Sequence, residues 1–194
     1  MTVTTVNVYS LDDKEQHRVA KALRQGFGNT AVVTLPPTLR RSELKGIKLS
    51  GGDRNSIGSE GSSSSVGMIL LCHYNEGRVL LTDEDGMYND FIMEACRVAG
   101  GNVFVALAPV STAPTALANE TLVTALAYTG GQQGLLSIHM QKRFLTWDKT
   151  PSDVQLDFLR GALEGDMEPL EVPESVLQHS GGRSFSGLSF CNIL

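Results

Sequence analysis

The sequence predicts a three-layer α/β domain with about five mostly parallel strands. Three observations carry this. Apolar runs of strand length alternate with segments whose apolar residues recur at helical spacing. The chain opens strand, helix, strand, an order that a parallel sheet with right-handed crossovers satisfies. The later segments repeat the alternation with glycine stops between them. At 194 residues and 41% hydrophobic content the chain suffices for one core with appendages.

Residues 2–10, TVTTVNVYS, are rich in β-branched side chains and read as a strand. Asp12 to Glu15 have the pattern of a capping box, with Asp12 as cap and Glu15 reaching back. A helix follows to about Gln25, with Val19, Ala20, Leu23 and Phe27 on one face. Lys14, His17, Arg18, Lys21 and Arg24 form a basic stripe on the other. AVVTL, residues 31–35, is a second strand stopped by Pro36-Pro37. Residues 38–65 are a basic stretch, TLRRSELKGIK, and then a Gly/Ser-rich one, and the whole segment reads as a disordered insertion.

VGMILLCHY, residues 66–74, is a buried strand. Residues 78–82 read either as a hairpin arm, which would make the sheet mixed, or as a loop edge. Asp83, Asp85 and Gly86 then form an acidic loop ahead of a helix from Met87 to Ala99. NVFVALAP, 102–109, is another strand, a helix runs from about Asn119 to Tyr128, and GLLSIHM, 134–140, reads as the last strand. Thr150-Pro151-Ser152-Asp153 start a final helix, with Thr150 as cap and Pro151 first inside, burying Val154, Phe158, Leu159, Ala162 and Leu163. Residues 1–165 thus form a single domain of Rossmann- or flavodoxin-like type, and 166–194 read as a flexible tail.

The motifs narrow the chemistry. There is no phosphate loop of the GxxxxGK[ST] kind, no HExxH and no GxSxG. GFGNTA, 26–31, has the letters of a dinucleotide loop but follows a helix and enters a strand, the reverse of what a phosphate requires. Three widely spaced cysteines, Cys72, Cys96 and Cys191, and scattered histidines argue against a disulfide framework or a metal site, and no cofactor is implied. His73 and His139 are read near strand ends, where a satisfied core histidine is the common role. The N-terminus lacks the pattern of a signal peptide, and no apolar run reaches the length of a membrane span. The reading is therefore cytoplasmic.

Charge is unevenly placed. Residues 1–54 hold nine Lys and Arg against five acids, so that segment is +4 and the remainder −9. Lys14, Arg18, Lys21, Arg24, Arg40, Arg41, Lys45 and Lys48 are either a solvated surface or a contact for an anionic partner. With 6% aromatic residues and no interleaving of aromatic and basic positions, nucleic acid is the least favoured partner. The last four residues, Cys191-Asn192-Ile193-Leu194, fit a C-a-a-X box whose leucine points to geranylgeranylation, although Asn192 is not aliphatic. The alternative is an ordinary cysteine. Together these features favour a non-catalytic binding or adaptor protein, peripheral on the cytosolic face of a membrane, with an anionic surface or a protein as partner.

A second reading starts from TDEDGMYNDFIMEACRVAGGNVFVALAP. It places the acidic loop Asp83–Gly86 beyond a strand and Glu94 on the helix after it, sharing a face with Asp90 and Arg97. The stretch resembles the superfamily that contains TIR domains and nucleoside 2-deoxyribosyltransferases. That resemblance implies Glu94 as a catalytic carboxylate acting on the N-glycosidic bond of NAD or a nucleoside. Read from the residues alone, Glu94 equally suits an ion pair with Arg97 on a helix surface.

Overall fold

In the computed structural model, residues 4–49, 66–74, 87–129 and 132–172 are described. The strands are β1 (Thr4–Ser10), β2 (Ala31–Thr34), β3 (Val66–Tyr74), β4 (Val103–Ala108) and β5 (Phe144–Thr146). The helices are α1 (Asp13–Phe27), α2 (Met87–Ala99), α3 (Glu120–Thr129), α4 (Gln133–Met140) and α5 (Asp153–Glu164). The sheet order is β2-β1-β3-β4-β5 and every neighbouring pair is parallel, as in flavodoxin-like doubly wound folds. The order reverses between β1 and β3, so the connections leaving those two strands diverge there.

Alternation along each strand divides the core in two. Val6, Val8, Met68, Leu70, Phe104, Ala106 and Leu145 face α1 and α5, where Val19, Leu23, Phe27, Leu159 and Ala162 meet them. Ile69, Leu71, Val103, Val105 and Leu107 face the other way, toward Phe91, Ile92 and Ala95 of α2, Val123 of α3 and Leu135 and Ile138 of α4. Strands covered on both faces must be apolar throughout, which is why VGMILLC and VFVALA have no polar alternation.

Several sequence readings are corrected. Residues 134–140 are helix, not strand: Gly134, Leu135, Ser137 and Ile138 are buried at helical spacing, and β5 comes later, at Phe144. A short apolar run fits either period, and packing against α2 decides it. Gly134 lies close against Asn89 and Ile92, where an added Cβ would come within 3.0 Å of the Asn89 side chain. The cap of α5 is Ser152, which closes a capping box with Gln155, so Pro151 precedes the helix and Val154 turns to solvent, 41% exposed. At α1 the Asp12 carboxylate accepts from the Glu15 N–H at 2.7 Å, but Glu15 does not reach back; the Asp12 N–H donates to Ser10 Oγ at 3.1 Å instead. His139 is on helix α4 rather than near a strand end.

Parts of the segments read as insertion and tail belong to the packed domain. Residues 38–49 pack onto the α2 side: Leu39, Leu44 and Leu49 are buried in the core with Tyr9 and Phe91, and Arg41–Glu43 form a single 3-10 turn. Three leucines at intervals of five, too widely spaced for a strand or helix pattern, escape a periodicity reading. Residues 166–172 are likewise fastened. The Leu170 N–H donates to Gly101 O at 2.9 Å, and Gln141 and Glu171 exchange two hydrogen bonds. Gly101, at φ 84°, admits this strap because it has no side chain; a Cβ would meet Pro169 at 2.7 Å. The hairpin arm expected at 78–82 lies outside the described residues.

Candidate functional site

In open α/β sheets ligands bind beyond the carboxyl ends of the strands, where the order reverses. Here that edge lies between β1 and β3. On the β1 side it is closed by the chain itself. The N-terminus of α1, the usual phosphate seat, is occupied by the Asp12 carboxylate, with Asp13 and Glu15 adding negative charge in the first turn. The buried Gln16 amide donates to the carbonyls of Val8 and Pro36, at 2.8 and 2.7 Å, and accepts from the Thr38 hydroxyl at 3.1 Å. The Leu39 N–H donates to Ser10 O at 2.8 Å. Residues 36–39 are thereby laced across the end of β1.

On the β3 side, His73 is the last inward-facing residue of its strand, and its Nδ1 lies 2.9 Å from the hydroxyl of Tyr88, in the first turn of α2. Both are buried. Burial pushes the imidazole down to about 4 and the phenol up, so the pair is neutral at pH 7. The Tyr88 N–H donates to Gln132 Oε1, and the Gly134 N–H to Asn89 Oδ1. His73 is thus the satisfied core histidine the sequence indicated; Tyr88 as its partner had no sequence signal. Asp83, Asp85 and Gly86, read as a ligand loop, lie outside the described residues.

Beneath this edge, on the α1 face, the carboxylate of Glu15 is buried, 2% exposed, and paired with Arg18. Its Oε1 and the Trp147 Nε1 lack regular hydrogen bonds. Burial raises the carboxyl, while the Arg18 charge and the indole N–H lower it. Burial and the Glu15 charge push the Cys72 thiol well up, and burial pushes Cys96 up to about 12. Neither thiol is activated as a nucleophile.

Glu94 stands midway along α2. Its oxygens accept two bonds from Arg97 at 2.8 Å and the Leu49 N–H at 3.1 Å. The Arg97 hydrogen bonds hold its carboxyl below the usual range. Asp90, one turn earlier, accepts the Gly46 N–H at 2.6 Å. The shared face of Asp90, Glu94 and Arg97 therefore fastens residues 38–49 to the domain, an occupation neither motif nor spacing revealed.

The basic residues separate into two groups. Lys14, Lys21 and Arg24 are exposed on α1, while Arg18 turns to Glu15. Arg40, Arg41, Lys45 and Lys48 are exposed on the 38–49 segment, on the opposite side of the sheet. The segments that carry them touch at the carboxyl edge, where the Thr38 hydroxyl meets Asp13 at 3.3 Å, while the Arg24 guanidinium donates to Val33 O of β2 at 3.0 Å. Cys191 lies outside the described residues. Among the described residues no cluster of three or more His, Cys, Asp or Glu could hold a metal, and no helix is long and apolar enough to cross a membrane.

Fold and edge define a doubly wound α/β protein of flavodoxin-like strand order. Comparison with protein-family models, with curated proteins and with solved structures finds no match to this chain.

Proposed function

We propose that this is a non-catalytic binding protein, held reversibly at an anionic membrane face on the cytosolic side. The cations of α1 and of residues 38–49 make the electrostatic contact, Cys191 is the lipidation site, and the rest of the surface is left for a protein partner. The observation that supports it most is the exposure of seven of the eight predicted cations, Lys14, Lys21, Arg24, Arg40, Arg41, Lys45 and Lys48, on two segments that touch at Asp13 and Thr38. A single lipid chain gives only marginal anchoring, and a basic surface supplies the second signal it needs. The groups that could do chemistry are otherwise engaged: Glu94 with Arg97 and Leu49, His73 with Tyr88.

The test is cosedimentation of the full chain with phosphatidylserine-containing and with purely phosphatidylcholine vesicles. Each lysine or arginine at an anionic surface contributes about 1 kcal/mol. Lys14→Gln, Lys21→Gln and Arg24→Gln together should therefore weaken binding to the anionic vesicles up to about 100-fold. Cys191→Ser should release the protein from the membrane fraction of a eukaryotic cell. Equal binding by wild type and triple variant would overturn the proposal. So would release of free base from NAD or a nucleoside that disappears in Glu94→Gln, which would install the N-glycosidic reading instead.

A further inference from the structure

One cation of the α1 stripe is withheld. Lys14, Arg18 and Lys21 recur at intervals of four and three, which sets them in one row along the helix. Lys14 and Lys21 are exposed, whereas the Arg18 guanidinium turns in to the Glu15 carboxylate; the two paired side chains are 36% and 1% exposed. The pairing is incomplete, because Glu15 Oε1, Arg18 Nε and Trp147 Nε1 are all buried without regular hydrogen bonds. Asp12 of α1 adds a second negative charge near Glu15, and Cys72 of β3, the other titratable group that faces it, stays a neutral thiol. Among the described residues, Arg18 is the cation that compensates Glu15. It cannot leave while Glu15 is ionised, since a buried carboxylate stripped of its counter-ion is strongly destabilising. A neutral carboxyl carries no such penalty, and the Trp147 N–H stands beside it as a donor. Departure of Arg18 and uptake of one proton by Glu15 are therefore a single event.

We propose that Arg18 is a reserve cation, held inward by Glu15 and released to an anionic surface as Glu15 takes up a proton from water. This rests on the membrane reading above and names its regulation. The balance is simple: a carboxylate becomes a carboxyl, one O–H bond forms, and the protein gains one positive charge. The surface drives the exchange twice over. It offers Arg18 a second anion, and it concentrates protons, about threefold at a cytoplasmic leaflet. By linkage, protonation of Glu15 strengthens binding by the same factor by which the surface favours protonation. Burial already raises the Glu15 carboxyl, so the exchange needs a smaller excess of protons than at an exposed glutamate.

Glu15→Gln fixes the site in its neutral form at pH 7. Hydrogen exchange of the Arg18 Nε–H, followed by NMR on the full chain, should be slow in the wild type and as fast as that of the exposed Arg40 in the variant. Binding to phosphatidylserine-containing vesicles should tighten about fivefold. Glu120→Gln on α3 changes the net charge equally and should leave binding in place. Between pH 7 and about 5.5 the wild type should gain about fivefold more affinity than Glu15→Gln, a difference that removes what His17 and the other shared groups contribute. Trp147, the one tryptophan of the chain, reads the unsubstituted site: its emission should shift over that range in the wild type and not in Glu15→Gln. Equal Arg18 exchange in the two proteins, a Glu120→Gln effect as large as that of Glu15→Gln, or an emission shift that persists in Glu15→Gln would each overturn the inference and leave the membrane reading standing. Arg18 freed in the variant with no vesicle binding by any of the proteins would overturn the membrane reading, and the inference with it.

Discussion

Helices α1 and α3 meet the sheet in the same way and meet solvent in opposite ways. Each buries an apolar stripe, Val19, Leu23 and Phe27 in one case, Val123 and Ala127 in the other. Outward, α1 presents Lys14, Lys21 and Arg24, whereas α3 presents Thr121, Thr124 and Tyr128. Helix α2 is a third case, because its polar face is given to the chain itself: Asp90 and Glu94 hold Gly46 and Leu49. The fold constrains the inner stripe alone. What the outer stripe carries is free to serve something else, and the contrast between cations, neutral residues and an internal clasp is where function can be read.

The contrast breaks most visibly if inner stripes prove dispensable. Leu23 is fully buried among Val19, Phe27 and the strands, so Leu23→Ala should lower the stability seen in urea by about 3–5 kcal/mol. A loss below about 1 kcal/mol would mean that α1 is not anchored as described.

His73 tests the carboxyl edge that both faces share. Its folded value, about 4, lies below the ordinary 6.5, so the stability this neutral burial supports is complete above pH 6.5. It is lost as pH falls from 6.5 through 4, by about 3 kcal/mol in full. In His73→Asn that part of the pH dependence should vanish. An unchanged acid limb would show that another group carries it.

Glu94 sharpens the third case. Glu94→Ala removes the acceptor for Leu49 and leaves the segment 38–49 held by Asp90 and its leucines. The cost should be about 1–3 kcal/mol, with amide exchange accelerated in residues 44–49. Because its carboxyl is held below the usual 4.5, the wild-type contribution is present above that value and fades as pH falls below it. The variant should lack this fading. Equal exchange in residues 44–49 of the two proteins would remove Glu94 from the clasp.

These residues also show what the sequence could and could not convey. Doubly wound architecture is legible because apolar strands and amphipathic helices repeat with periods that a local window detects: β3, α2 and β4 lie where periodicity puts them. GLLSIHM misleads because seven residues cannot distinguish two periods, and only Asn89 and Ile92 against Gly134 settle it. The clasp is illegible for a different reason. Glu94 to Leu49 spans 45 positions, and Asp90, Glu94 and Arg97 look the same whether they face water or a neighbouring segment. Helical spacing alone puts Arg18 with the exposed stripe, whereas its guanidinium turns to the buried Glu15 three positions earlier.

The smallest effect on stability separates the faces most sharply. Exchanging outer stripes touches nothing buried, so Lys14→Thr with Lys21→Ala, and separately Thr121→Lys with Thr124→Lys, should each change stability by no more than about 0.5 kcal/mol. Their functional effects should not cross. The first pair should lose anionic vesicle binding; the second should gain little of it. The gain should be small because two cations on α3 lie apart from the edge where α1 approaches residues 38–49, and an anionic surface rewards charges it can meet together within a Debye length of about 8 Å. If the lysines on α3 restored vesicle binding to the α1 variant, net charge rather than placement would govern the membrane contact. The two helices would then differ in composition without differing in role.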